Sequence, residues 1–213
     1  MSAAPAASTS TAEQLVAGQA QLWHKCLTHP FVLATAEDSL PPGAFDRWLL
    51  ADHHFVVQFR RFLAGVLAQA PDEPARDVLA GGITALTPEL ALFREQLAER
   101  GLAPHTYRPT GAALAYTSFL LASLADGYGV AAAVLYGVEK AYFDAWTAVR
   151  ERAALTSSPY RGFIDNWSAP AFGAYADDLG ALLGQGAPTP QQEQAFAQVV
   201  SFELAFWDEV HTG

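Results

Sequence analysis

The chain is poor in sulfur and in positive charge. With one cysteine and one methionine among 213 residues, Cys26 has no internal disulfide partner and a multi-thiolate metal cluster is excluded. A lone thiol fits a reducing compartment, and the expected location is the cytoplasm. Twelve Lys and Arg stand against 22 Asp and Glu, a formal net charge of −10. A field of that sign argues against nucleic acid or an anionic membrane as partner and favours a small neutral or cationic ligand. Long apolar runs are absent too. Charge, Gly or Pro interrupts each within a few turns, well short of the roughly 20 consecutive apolar residues that span a bilayer. Strand-like alternation, hairpin turns and a repeat of roughly 20 to 50 residues are likewise missing.

What is present is helical periodicity. Half the residues are hydrophobic, enough for one domain with a substantial core. The first segment, residues 1–12, is small and polar and lacks the basic and apolar regions of a secretory signal. It is expected to be a disordered tail ahead of a single all-α domain over 13–213. The spacing of apolar residues predicts a helix over 13–27 with Thr11 as N-cap, a break at His29-Pro30, a short apolar segment over 31–36 and a turn over 38–43. Helices follow over 45–67, 73–100, 112–125, 130–154, 160–167, 170–183 and 190–210. Pro71, Gly101, Asp126-Gly127, the run Thr156 to Pro159 and the Gly/Pro loop over 184–190 separate them. Gly81-Gly82 marks either a kink or the close approach of a neighbouring helix.

Three of these helices interrupt an apolar stripe with a carboxylate. Glu139 lies one turn from both Leu135 and Tyr142, Asp52 sits between Leu49 and Phe55, and Glu203 between Val200 and Phe206. An inward carboxylate is costly to bury unless paired, so each is a structural ion pair or a working group. No inward Lys or Arg matches them: Arg60 and Arg61 lie further along, and Lys140 adjoins Glu139 and points elsewhere. If the acids converge, mutual repulsion and low dielectric raise at least one pKa and permit proton transfer. The aromatics Tyr116, Tyr142, Trp146, Trp167, Phe206 and Trp207 are each ordinary core residues taken singly. Together with the acids they suit a pocket for a flat heterocycle.

Metal binding is the sharpest rival. His53, His54 and His211 accompany the acids, and Asp208 and His211 have an i, i+3 spacing. A di-iron bundle uses paired Glu-x-x-His motifs, and neither Glu139 nor Glu203 has a histidine three residues on, so no metal is expected. Cys26 reads as a core thiol, His24 and His29 as helix-end or surface residues. No nucleophile elbow is present, and Gly81-Gly82 fits neither dinucleotide nor P-loop patterns.

Four segments then resemble a known family. His29-Pro30-Phe31-Val32, Leu50-Ala51-Asp52, Leu114-Ala115-Tyr116-Thr117-Ser118 and Glu203-Leu204-Ala205-Phe206-Trp207-Asp208 are similar in order and spacing to the TenA/thiaminase II family over residues 13 to 211. The resemblance implies a heme-oxygenase-like helical bundle without heme, a homo-oligomer (dimer or tetramer), acting on thiamin-derived aminopyrimidines with no cofactor. It also implies that Asp52 holds the aminopyrimidine edge, that Tyr116 is a pocket tyrosine and that Glu203 is an acid-base glutamate. The stretch Leu135 to Glu139 departs from the pattern, with Gly137 about where the family's cysteine nucleophile falls. In this it is similar to a subgroup that lacks the cysteine and has a nearby glutamate, linked to salvage of aminomethyl and formylaminomethyl pyrimidines. Glu139 is therefore the second expected catalytic residue. Phe55 and Trp167 stand where tyrosines are common, and with Tyr142 and Phe206 complete the expected binding residues. The expectation is a C–N hydrolase that forms hydroxymethylpyrimidine. The alternatives are a non-catalytic pyrimidine-binding or regulatory protein and a metal-dependent bundle oxidase.

Overall fold

The computed structural model describes residues 9–154 and 158–212. Ser10 opens the first helix through a capping box: its hydroxyl accepts from the Glu13 backbone N–H while the Glu13 carboxylate accepts from the Ser10 N–H. The N-cap is thus Ser10, one residue before the expected Thr11. Thr11 and Ala12 are already helical and buried, so packed structure starts ahead of residue 13. Residues 1–8 of the expected tail, and 155–157 of the expected helix stop, lie outside the described residues.

The helix predicted over 13–27 is two, α1 (Thr11–Gly18) and α2 (Ala20–Leu27), joined at Gln19, whose backbone leaves the helical region at φ −114°. The apolar segment at 31–36 is itself a helix, α3 (Pro30–Ala36). His29 caps it by accepting the Phe31 N–H on Nδ1, and Pro30 occupies the first turn, where its missing N–H costs nothing. There follow α4 (Ala44–Gln69), α5 (Glu73–Glu99), α6 (Gly111–Ser123), α7 (Tyr128–Arg152), α8 (Arg161–Trp167), α9 (Pro170–Leu182) and α10 (Pro190–Thr212). Gly101 follows α5 at φ +67°, the left-handed conformation expected of a helix-ending glycine. Among the described residues there is no strand, only one isolated bridge between Ser10 and Gln185. The fold is all-α and a single domain, as expected, and no helix among the described residues is long and apolar enough to cross a membrane.

α7 is the axis of the bundle. Every residue from Val130 to Glu139 is buried, and the helix touches α2, α3, α4, α6, α8, α9 and α10. Such all-round burial marks a central helix, and small residues let its neighbours close in. A Cβ at Gly137 would lie 3.1 Å from Phe196 and from Val199 of α10, and one at Gly173 of α9 would lie 2.7 Å from the Phe143 ring. Beside α7, Trp48 of α4 centres an aromatic cluster, with ring centroids 4.8 Å from Phe163, 5.4 Å from Trp146 and 5.8 Å from Trp167. This cluster fixes α4, α7 and α8 against one another, and the site lies between them and α5.

Gly82 marks a close approach: a Cβ there would meet the Tyr175 hydroxyl at 2.1 Å, while one at Gly81 would meet nothing within 4 Å. Gly81→Ala is expected to stabilise the fold by about 0.5–1 kcal/mol, since it removes backbone freedom from the unfolded chain at no steric cost. Gly173→Ala meets a rigid ring, and overpacking of about 1–3 kcal/mol offsets the helix-propensity gain. Urea midpoints should rank Gly81→Ala above wild type and Gly173→Ala below it.

Candidate active site

Asp52 projects from the middle of α4 into the core and is fully buried. The Tyr142 hydroxyl on α7 donates to its Oδ1 at 2.6 Å, while Oδ2 has no partner in the protein. Around it lies a small chamber of about 20 Å³ walled by Asp52, Phe55, Val56 and Phe59 of α4, Leu86 and Glu89 of α5, Val138, Glu139 and Tyr142 of α7, and Trp167 of α8. Trp167 meets the Tyr142 ring edge-on, 5.5 Å between centroids at 80°. A larger cavity of about 340 Å³ adjoins it, sharing Leu86, Glu89 and Glu139 and extending past Gly82, Asn166, Phe172 and Tyr175.

The acids at this junction have no cation to pair with. Glu139 is buried, and no ion pair or side-chain hydrogen bond engages it among the described residues. Burial holds its pKa well above the carboxylate range, and the charge of Glu89 pushes it further. Asp52 is raised in the same way by burial, against the Tyr142 hydrogen bond, with Glu89 and Glu203 adding to the rise. Lys140 turns away and pairs with Asp144, as its place beside Glu139 implied.

Glu89 is a fourth inward carboxylate that sequence reading missed. It is buried, its Oε2 accepts from the Asn166 amide at 3.4 Å, and burial lifts it to about 7, against hydrogen bonds from Asn166 and Trp167. The signal was there. Glu89 lies three residues after Leu86 and four before Phe93, the same interruption of an apolar stripe that marks the other three.

Glu203 stands one layer back. The Tyr116 hydroxyl donates to its Oε1 at 2.6 Å, and burial lifts the carboxyl to about 8 against that bond. None of Tyr116, Glu203 and Phe206 lines either cavity. They pack behind Phe55, whose ring lies 4.9 Å from Tyr116 and 6.1 Å from Phe206. Of the eight expected site residues, Asp52, Phe55, Glu139, Tyr142 and Trp167 share the chamber wall, and the other three back it. The acids thus lie near one another, with Glu203 close enough to raise Asp52 and Tyr142.

Gly137 does not face the chamber. A side chain there would point at α10, whereas Val138 and Glu139 line the wall, so of the two positions that face the chamber from this stretch one is apolar and the other carries a carboxyl. Cys26 is a buried core thiol whose Sγ approaches the Val200 carbonyl at 3.8 Å, its pKa pushed far up by burial. The histidines are scattered: His53 lies against Phe93, His54 against Tyr107 and His211 against Phe31. Asp208 pairs with the buried His29 at 3.0 Å rather than with His211. His29 is therefore a buried cap and not a surface residue. Among the described residues no group of three or more His, Cys, Asp or Glu is arranged to hold a metal ion.

Comparison with known proteins bears on the fold and the family. Residues 17–212 match the TENA/THI-4/PQQC family. The chain is 24% identical over 199 residues to an aminopyrimidine aminohydrolase from Helicobacter pylori, covering 88% of this chain and 92% of that protein. It is 30% identical over 176 residues to the thiamine biosynthesis multifunctional protein ThiED of Corynebacterium efficiens, covering 79% of this chain and 23% of that longer protein. Among solved structures, a TenA homologue from Pyrococcus furiosus superposes with a TM-score of 0.88 at 30% identity, over 94% of this chain and 99% of that one. The helical bundle is thus the heme-oxygenase-like fold of TenA structures. From the family match along nearly its whole length, the chain belongs to the TENA/THI-4/PQQC family.

Proposed function

We propose that the protein is a cysteine-independent aminopyrimidine hydrolase of thiamin salvage, converting aminomethyl or formylaminomethyl pyrimidines to hydroxymethylpyrimidine. The observation that carries this is Asp52, with Oδ1 held by Tyr142 and Oδ2 free in an aromatic-walled chamber. A 4-aminopyrimidine presents a ring-nitrogen acceptor beside an amino donor. A carboxyl kept protonated by burial presents a donor beside an acceptor, the complementary edge. The faces of Phe55, Tyr142 and Trp167 suit the flat ring. The chamber of about 20 Å³ is smaller than a pyrimidine, so these side chains part to admit it, and the adjoining cavity is the approach. The Helicobacter pylori relative is named an aminopyrimidine aminohydrolase, which supports the substrate class.

With the ring held at Asp52, the C5 methylene points toward Glu139 at the junction. Water adds to the methylene carbon as the C–N bond breaks. The nitrogen departs as ammonia once it carries a third proton, taken from an acid or brought by the substrate as an ammonium, and the water gives one proton to a base, leaving the alcohol. Glu139, on the chamber wall, is the group in reach of substrate. Glu203, raised to about 8 by burial and hydrogen-bonded to Tyr116, is the second acid, which comes within reach of the departing nitrogen when Phe55 moves aside to admit the ring. For a formylated substrate, water first adds to the formyl carbon and formate leaves, after which the amine is displaced. A second reading, a pyrimidine-binding protein without turnover, is favoured by the apolar Val138 on the wall.

Incubation with aminomethyl, formylaminomethyl and intact thiamin substrates, followed by detection of hydroxymethylpyrimidine, separates these readings. The hydrolase forms product from the first two; a protein that retains the pyrimidine and forms none is a binder. Glu139→Gln and Glu203→Gln should each lower turnover about 10²-fold or more, and undiminished turnover in either removes that residue from the mechanism. Asp52→Ala should weaken substrate binding about ten- to hundredfold through loss of two hydrogen bonds, read as KM or by calorimetry.

Stability should also report the buried acids. A carboxyl raised from 4.5 to about 8 in the fold, as Glu203 is, binds its proton more tightly folded than unfolded. Its contribution is fully present below 4.5 and is lost as pH rises through about 8. Urea midpoints on either side of that window should fall toward high pH in the wild type and fall less in Glu203→Gln. Equal slopes for the two would show that Glu203 is not the titrating group.

A further inference from the structure

Glu89 belongs to no role derived so far, yet it occupies a controlling place. Only Leu86, Glu89 and Glu139 line both the chamber and the adjoining cavity, so two carboxyls and one apolar side chain form the neck between them. The rest of the outer wall is largely small or apolar. Its polar groups are these two acids, the Asn166 amide and the Tyr175 hydroxyl, which is buried and has no partner in the protein. None of the Lys or Arg residues among the described residues forms an ion pair with Glu89 or Glu139. The neck is acceptor-rich and unneutralised.

Glu89 is also held in place. Asn166 and Trp167 of α8 both hydrogen-bond its carboxyl, and Trp167 is itself a wall of the chamber. The carboxyl is thus indexed to the face on which a flat ring would rest. Pro88, one residue before it inside α5, lines the same cavity and removes a backbone donor from that turn. The backbone hydrogen bonding of α5 is thus interrupted at the turn that presents Glu89 to the neck.

We propose that Glu89 is a specificity-determining residue that receives a primary ammonium group on the C5 methylene of a bound aminopyrimidine, selecting it over neutral substituents. This rests on the hydrolase site proposed above and names the charge class that it prefers. An ammonium has three N–H donors and a full positive charge. Glu89, Glu139 and the Tyr175 oxygen supply acceptors, and the charge offsets an ionised carboxyl that has no other counterion. Entry of the cation drives one of the paired carboxyls to give up its proton to solvent. A formylamide or a hydroxymethyl group brings one donor and no charge, and gains little from the neck.

Calorimetry with aminomethylpyrimidine and with hydroxymethylpyrimidine, on the full-length protein, tests this. In Glu89→Gln, which keeps the shape of the side chain, the amine should bind about ten- to hundredfold more weakly, the worth of a charge-assisted hydrogen bond. The alcohol should change by less than about threefold, within roughly 0.7 kcal/mol. The protons released on binding the amine, read from the dependence of heat on buffer, should fall in parallel. Equal weakening of both ligands, or no change in either, overturns the inference. Should Glu89→Gln not fold by thermal melting, Glu89→Asp is measured instead: it keeps the charge and must retain the preference for the amine, and loss of that preference without loss of alcohol binding also overturns it. Wild-type turnover is scored separately. Selective amine binding without product sinks the hydrolase reading and leaves the Glu89 assignment standing, product formation without Glu89-dependent selectivity sinks only the latter, and a wild type that binds neither pyrimidine sinks both.

Discussion

The hydrogen bond from Tyr142 to Asp52 ties the central helix, α7, to α4 at the wall of the chamber. At 2.6 Å and buried, it satisfies one oxygen of Asp52 and leaves the other free, which adds an unpartnered carboxyl oxygen to a wall that Glu89 and Glu139 also line. It also sets Tyr142, and through Tyr142 the surrounding rings: Trp207 stacks on it at 5.6 Å and Trp167 meets it edge-on. Trp167 in turn packs on Trp48, Trp146 and Phe163. The aromatic cluster is therefore both core and, through Trp167 and Tyr142, wall of the chamber. Loosening Tyr142 would disturb α4, α7, α8 and α10 together.

Four carboxyls gather around this point without a basic partner among the described residues. As ionised groups they would each carry a desolvation penalty of several kcal/mol, so the fold holds most of them neutral at moderate pH. A neutral carboxyl donates as well as accepts, and it can lose its proton when something positive arrives. The same physics that makes these residues costly to bury makes them responsive to a cationic ligand. The negative net charge of the chain acts in the same direction at long range.

The helices and three of the acids were legible because a carboxylate in a period of 3.6 is a local pattern, visible in a window of one or two turns. Asp52, Glu139 and Tyr142 reach one chamber as that pattern implied. Glu89 shows the same pattern but is followed by Leu90 and preceded by Pro88, and the proline masks the stripe. The division of α1 from α2 was hidden because the apolar residues keep helical phase across Gln19 while only its backbone departs. Depth was not legible either. Periodicity says that Glu203 faces inward, but whether it reaches the chamber or stops at Tyr116 depends on how α10 packs on α6 and α4, which is a tertiary fact. The histidines misled for the same reason: residues adjacent in sequence, His53 and His54, diverge onto different neighbours.

The stretch from Gly137 to Glu139 shows how one residue of helical rotation decides chemistry. Successive side chains on α7 diverge by about 100°, so the three positions address three surroundings: Gly137 faces α10, Val138 the chamber, and Glu139 the neck between chamber and outer cavity. On the chamber side of this stretch stand Val138, whose side chain offers no reactive atom, and the Glu139 carboxyl. Glu139 lines both the chamber and the outer cavity, and in the proposed function it meets the methylene side of a ring held at Asp52 rather than taking a thiol's place. From there a carboxyl acts on a water or on a leaving nitrogen, without forming a bond to carbon. Direct displacement by water, the step proposed above, asks for no nucleophile on the wall, only for carboxyls beside the methylene, and Glu139 and Glu89 stand together at the neck.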